Sequence, residues 1–295
     1  MEKQEIIEVR QADMLQAIDR AEIDIQISTA KKYPRDIQAT LNKIATYATM
    51  DKETAEDCFY VLRRGGEVIE GLSVRMAEII AGAWGNLRVA SRIIGNDGRM
   101  ITAQAICHDL ETNLAVSKEV KRRITTKDGH TFSEDMQVMT GNAASSIAFR
   151  NAVLAVIPKA VTKRVISEVK RVALGQSIDL ETSRQNILKY FTGTLGVKQE
   201  YLFHYLGIKD ISEIDKEKVF ELRATANAIK EGTTTVKETF EKPYLEAQQQ
   251  AKAEKKSTKA QDKAAAAIAA ATNKAPENVD QETGEIKENK NKTTK

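Results

Sequence analysis

Residues 69–84, IEGLSVRMAEIIAGAW, followed by LRVASRIIG (87–95), RMITAQAIC (99–107), AVSKEVKRRIT (115–125) and TGNAASSIAFRNAVLAVIP (140–158), decide how this chain folds. The first segment ends in an amphipathic helix that carries the only tryptophan, Trp84. The next three alternate apolar and polar residues with period two, the mark of strands with one buried face. The last is a helix rich in small residues, which can approach a sheet closely. The expected fold class is α+β: an antiparallel β-sheet with a long helix packed on one face.

The alternation assigns faces. Leu87, Val89 and Ile93 point one way, as do Ile101, Ala103, Ala105 and Cys107, and then Leu114, Val116, Val120 and Ile124. The opposite face carries Arg88, Arg92, Thr102, Gln104, Lys121 and Arg123. Asn96-Asp97-Gly98 reads as a hairpin turn, because Asp and Gly tolerate the positive φ that such turns require. Lys127-Asp128-Gly129 is a second turn signal, after which TFSEDM is expected to return briefly as a strand. The helix is expected to begin near Thr140, to kink at Pro158 and to continue through KAVTKRVISEVKRVAL with basic residues outward.

Working outward, residues 1–57 read as a helical N-terminal region. Pro34 ends its first helix, DIQATLNKIATYATM forms the second, and Asp51 caps a third. CFYVLRR is expected as a strand and Gly65-Gly66 as the tight turn into EVIEG. Residues 58–175 form the α+β core. Residues 176–240 read as a small all-helical unit with apolar positions such as Ile187, Phe191, Leu202, Leu206, Ile214, Val219 and Leu222. Residues 241–295 have few large apolar side chains, so disorder is expected there.

The net charge of +3 decides little, but its distribution is informative. Between Asn113 and Gly175 eleven basic residues face five acidic ones, whereas acidic residues predominate from Met1 to Tyr60. A basic segment suits a polyanionic partner and equally suits a solvated face. Two cysteines, Cys58 and Cys107, make no disulfide framework and no metal spacing. Charges interrupt every hydrophobic run, so no membrane segment is expected and a cytoplasmic location is the default.

Catalytic signals are sparse. His108, Asp109 and Glu111 form one dense titratable cluster; a metal site would need further ligands, and turn and capping chemistry explains such clusters more often. Gly95-Asn96-Asp97-Gly98 lacks the Lys-Ser/Thr of a phosphate-cradling loop, and Ser145 and Ser146 lack a nucleophile elbow. No catalytic residue, metal or cofactor is expected. Tyr60, Trp84, Phe132 and Phe149 flank the basic elements, with core packing the expected role of Trp84 and Phe149.

The phrases IEGLSVRMAEIIAGAWGNL (69–87), CHDLETN (107–113) and NAASSIAFRNAVLAVIPKA (142–160) give the chain a resemblance to phage and prophage single-strand annealing recombinases of the RecT, Erf and Redβ type. The likeness is one of layout over roughly residues 20–240 and carries no diagnostic motif. It implies ATP-independent annealing in phage homologous recombination, by homo-oligomeric rings or filaments in the host cytoplasm. It further implies a groove between sheet and helix, with Arg88, Arg92, Lys121 and Arg123 gripping single-stranded DNA. Arg150, Lys159 and Lys163 would form the other wall. The tail, ending QETGEIKENKNK, resembles a recombinase C-terminal region that contacts an exonuclease or a host single-strand-binding protein. Two rivals stand beside it: a phage assembly or adaptor protein without DNA binding, and a metal-dependent nuclease built on His108, Asp109 and Glu111.

Overall fold

The computed structural model describes residues 2–64, 67–126, 128–175 and 180–253. In chain order the elements are α1 (Glu2–Lys32), α2 (Ile37–Ala48), α3 (Lys52–Asp57), β1 (Phe59–Arg64), β2 (Glu67–Leu72), α4 (Val74–Trp84), β3 (Leu87–Asn96), β4 (Met100–Asp109), β5 (Leu114–Arg123), α5 (Glu134–Val156), α6 (Lys159–Leu174), α7 (Leu180–Lys189), α8 (Gln199–Leu206) and α9 (Lys216–Lys230). The fold is α+β. A two-stranded antiparallel sheet pairs β1 with β2, and a three-stranded antiparallel sheet has the order β3-β4-β5.

Local signals place the element ends. Asp36 and Asp51 accept hydrogen bonds from the backbone N–H groups of Ala39 and Thr54, which starts α2 and α3. At the β3–β4 hairpin the Asp97 carboxylate accepts from the N–H groups of Arg99 and Met100, and Gly98 takes φ +80°.

The inner sheet face is built for close approach. Ala103, Ala105 and Cys107 of β4 meet Ala144, Ala148, Ala152 and Val153 of α5, all fully buried in one core. Small side chains on both surfaces bring the helix near the strands and leave no void to fill. The second face of α5 is covered as well, because α4 packs against it. Trp84 is buried in this core and Phe149 packs against it, as expected.

Four expectations need correction. Helix α5 begins at Glu134, not near Thr140, because the Ser133 hydroxyl accepts from Met136 N–H and two acidic residues occupy the first turn. TFSEDM is therefore not a strand; a single bridge, Thr125 to Thr131, is all the pairing there. At Pro158 the helix does not merely kink: Ile157 is extended, and α5 and α6 diverge by 118°. The helical segment after Gly175 has its own core around Phe191, Leu202, Ile214, Leu222 and Phe240, but its last helix, α9, packs on β1, α3 and α6. Residues 1–242 thus form one compact unit rather than three.

Residues 243–253 belong to a second unit and have helical backbone. The disorder expected beyond 253, and the turns at Gly65-Gly66 and Lys127, lie outside the described residues. Among the described residues no single helix is long and apolar enough to cross a membrane.

Candidate nucleic-acid interface

The outer face of the three-stranded sheet carries the cations that alternation placed there. Its register sets Met100 opposite Arg123, Thr102 opposite Lys121, and Gln104 between Arg92 and Glu119. His108 stands between Arg88 and Ala115. Arg123, Lys121 and Arg92 therefore lie at successive outward levels of β4, and Arg88 two levels further on past the exposed Ile106, along a diagonal from the end of β5 to the start of β3. The diagonal runs over the eight residue steps from Met100 to His108 of β4, about 27 Å at the rise of an antiparallel strand.

Arg92, Lys121 and Arg123 are exposed. Arg92 makes one long hydrogen bond, 3.5 Å to Gln104. Arg88 is half-buried and donates to Gln26 of α1 at 3.4 Å. Glu119 is the acidic residue within the row, and Asp97 approaches Lys121 from the hairpin turn. The backbone N–H groups of Met100 and Arg99 hold the Asp97 carboxyl below its ordinary value, with a smaller contribution from Lys121. Four cations on one face of the sheet, against Glu119 in the row and Asp97 at its edge, leave a positive surface.

Where the row reaches β5 it meets a cleft of about 1290 Å³. Lys121, Arg122 and Arg123 line one side; Arg75, Lys230 and the run Thr233–Thr235 line others together with the acids Asp57, Glu78, Glu231 and Glu238, of which Glu78 pairs with Arg75 at 2.7 Å. Arg75, Arg122 and Lys230 were missed in the sequence because nothing local ties α4 or the end of α9 to β5. The turn after α9 seats itself by close contact: Gly232 has φ +67°, and a Cβ there would come 2.8 Å from the Ala143 Cβ.

Arg150 does not belong to this surface. It is buried, its guanidinium lies 4.6 Å from the Tyr60 ring centroid, and it pairs with Glu231 at 3.6 Å. Glu231 also accepts the Val74 N–H at 2.8 Å, so it joins α4, α5 and the end of α9. Burial raises the Glu231 carboxyl, partly offset by the Val74 N–H and Arg150. Cover from Tyr60 and the end of α9 on the side of α5 away from the three-stranded sheet turns Arg150 inward. Lys159 and Lys163 are exposed, but α6 packs on α2, α3 and α9, so they do not face the sheet row.

The His108 cluster is divided by the pleat. His108 sits on the outer face and meets Asn113 at 3.0 Å, whereas Asp109 points inward. Asp109 accepts both guanidinium arms of Arg35 at 3.0 and 3.2 Å, the Trp84 indole N–H at 3.2 Å, and the Glu111 N–H at 3.0 Å. Glu111 accepts the Arg35 N–H and the Asn86 amide. The Arg35 guanidinium stacks 4.4 Å from the Trp84 ring and also donates to the Trp84 and Gly85 carbonyls. These two acids are thus spent on locking α2's lead-in to the sheet end. Among the described residues no group of three His, Cys, Asp or Glu side chains is placed to hold a metal.

Comparison with protein-family models, curated proteins and solved structures finds no match to this chain.

Proposed function

We propose that this protein binds single-stranded DNA across the outer face of its three-stranded sheet and promotes pairing with a complementary strand without nucleotide hydrolysis. The observation that carries this reading is the diagonal of Arg88, Arg92, Lys121 and Arg123, whose β5 end lies at the edge of the cleft. Cations along such a row neutralise phosphates and release their counterions. Aromatic rings are absent from the row, so bases would be left free for a second strand rather than stacked on protein. Once phosphates are neutralised, repulsion between strands falls and base pairing supplies the driving force.

This is the chemistry of the annealing recombinases that the sequence resembles, and we place the chain with them in phage recombination as a proposal. Self-assembly belongs to the same proposal. It draws support from Met14, Ile18 and Ile25, an exposed apolar stripe at helical spacing on α1. Contact with an exonuclease or a host single-strand-binding protein through the C-terminal region, and work in the host cytoplasm, follow from the resemblance alone.

The test is annealing of two complementary labelled oligonucleotides without ATP, at low and moderate salt, with a magnesium-free control. Accelerated pairing without cleavage is expected, and Lys121→Ala with Arg123→Ala should weaken single-strand binding while preserving the fold. Absence of binding at either salt would leave the assembly protein as the better account, and magnesium-dependent cleavage would favour a nuclease.

A further inference from the structure

Lys159, Lys163, Arg164 and Arg171 are exposed on one side of α6, opposite the buried Thr162, Val165, Val169 and Ala173. Their side chains make no hydrogen bond or ion pair among the described residues. By contrast Lys170 is held by Glu70 at 2.6 Å. Glu168 is the one acid on the helix. From Lys159 to Arg171 the row extends about 18 Å at the α-helical rise.

Helix stability accounts for Arg171, which sits in the last turn where the dipole favours a cation, but not for the rest of the row. Lys159 and Lys163 lie toward the N-terminus, where the helix dipole disfavours cations. The first turn has no acidic residue, and the N-cap, Pro158, supplies no side-chain bond. The chemistry of a partner follows from what the face lacks. No large apolar side chain is exposed on α6, so a protein partner would find no anchor of the kind that carries protein interfaces. Phosphate oxygens need only the cations. The 118° turn at Pro158 and the packing of α6 on α2, α3 and α9 direct this row away from the sheet.

We propose that the outer face of α6 is a second phosphate-binding surface, which holds a second nucleic-acid strand while the sheet row holds the first. The inference rests on the single-strand binding reading above. A protein with two such surfaces brings two strands together by binding both, instead of waiting for the second to collide from solution.

The experiment uses the full chain and its Lys159→Gln, Lys163→Gln, Arg164→Gln, Arg171→Gln variant, with glutamine retaining helix propensity. Circular dichroism checks the fold, and the pair Lys159→Gln with Lys163→Gln is read alone should the fourfold variant misfold. Titration with an oligothymidylate measures first-strand affinity and nucleotides bound per protomer at saturation; a complementary pair then measures annealing rate. The variant should keep first-strand affinity within about twofold, bind about half the nucleotides per protomer, and anneal at least tenfold more slowly. Unchanged saturation and annealing would overturn the second surface while leaving the first intact. Parallel loss of first-strand affinity would also overturn it, by making α6 part of one site. A parent chain that binds no oligothymidylate would sink the single-strand reading itself.

Discussion

Arg35 and Asp109 meet in a two-pronged ion pair, both side chains almost wholly removed from water, and the contact fastens the segment before α2 to the end of β4. Asp109→Asn would leave the Arg35 charge buried without its counter-ion. A loss of about 3–5 kcal/mol is expected, the usual cost of breaking a buried pair from one side. Burial by itself would raise the Asp109 carboxyl, but hydrogen bonds from Arg35, Trp84 and the Glu111 N–H outweigh it and hold it below its free value of 3.8. The native state then binds fewer protons than the unfolded chain. The stabilisation is complete above that pH and fades as pH falls through the lower native value. Urea unfolding of parent and variant across pH 2–7 checks this: their difference should shrink toward the acid end.

The thiols respond in the opposite direction. Burial pushes Cys58 up to about 12 and Cys107 up to about 11, and the nearby negative charges of Asp57 and Asp109 push the same way to a smaller degree. Their contribution is present below the free thiol value of 9.0 and is lost as pH rises toward 11 and 12. At pH 8 neither thiol of the native protein should react with a disulfide reagent within minutes, and both should react at once in denaturant. Rapid labelling of the native chain would contradict the buried placement.

Gly232→Ala meets two obstacles, a left-handed backbone at φ +67° and the Ala143 Cβ at 2.8 Å. We expect a loss of about 1–3 kcal/mol. A thermal melt measures it, and a transition unchanged within a degree would show that the turn is not seated on α5 as described.

Removing sheet cations should change how binding depends on salt, not just its strength. With Arg92, Lys121 and Arg123 all changed to Ala, the slope of log K against log salt should fall by about 2, from roughly 0.7 per phosphate contact on single strands. An unaltered slope would place the strand elsewhere.

Local signals made much of this fold legible. Period-two alternation located β3 to β5 and their free face, and Asp51 and Asp97 announced one helix start and one turn. What stayed hidden depends on partners far along the chain. Arg150 reads as an exposed cation until Tyr60 and Glu231 close around it, and Lys159 reads as a groove wall until the turn at Pro158 carries α6 away. Asp109 resembles a catalytic acid until Arg35 is seen to occupy it. Charge can be read locally, whereas its neutralisation cannot.

Helix α9 belongs to two cores at once. Phe220 and Ala224 enter the core of the sheets, while Val219, Leu222 and Ala226 enter that of the helical segment. Glu221 grips Arg63 of β1, and Asn227 donates to the Glu56 and Phe59 carbonyls. A chain cut after Gly175 would therefore strip a wall from β1, because Phe59 packs edge-on against Phe220. Neither core can open without withdrawing side chains from the other. The two are expected to melt in a single transition, with the amide protons of α9 exchanging with water only when the whole unit unfolds.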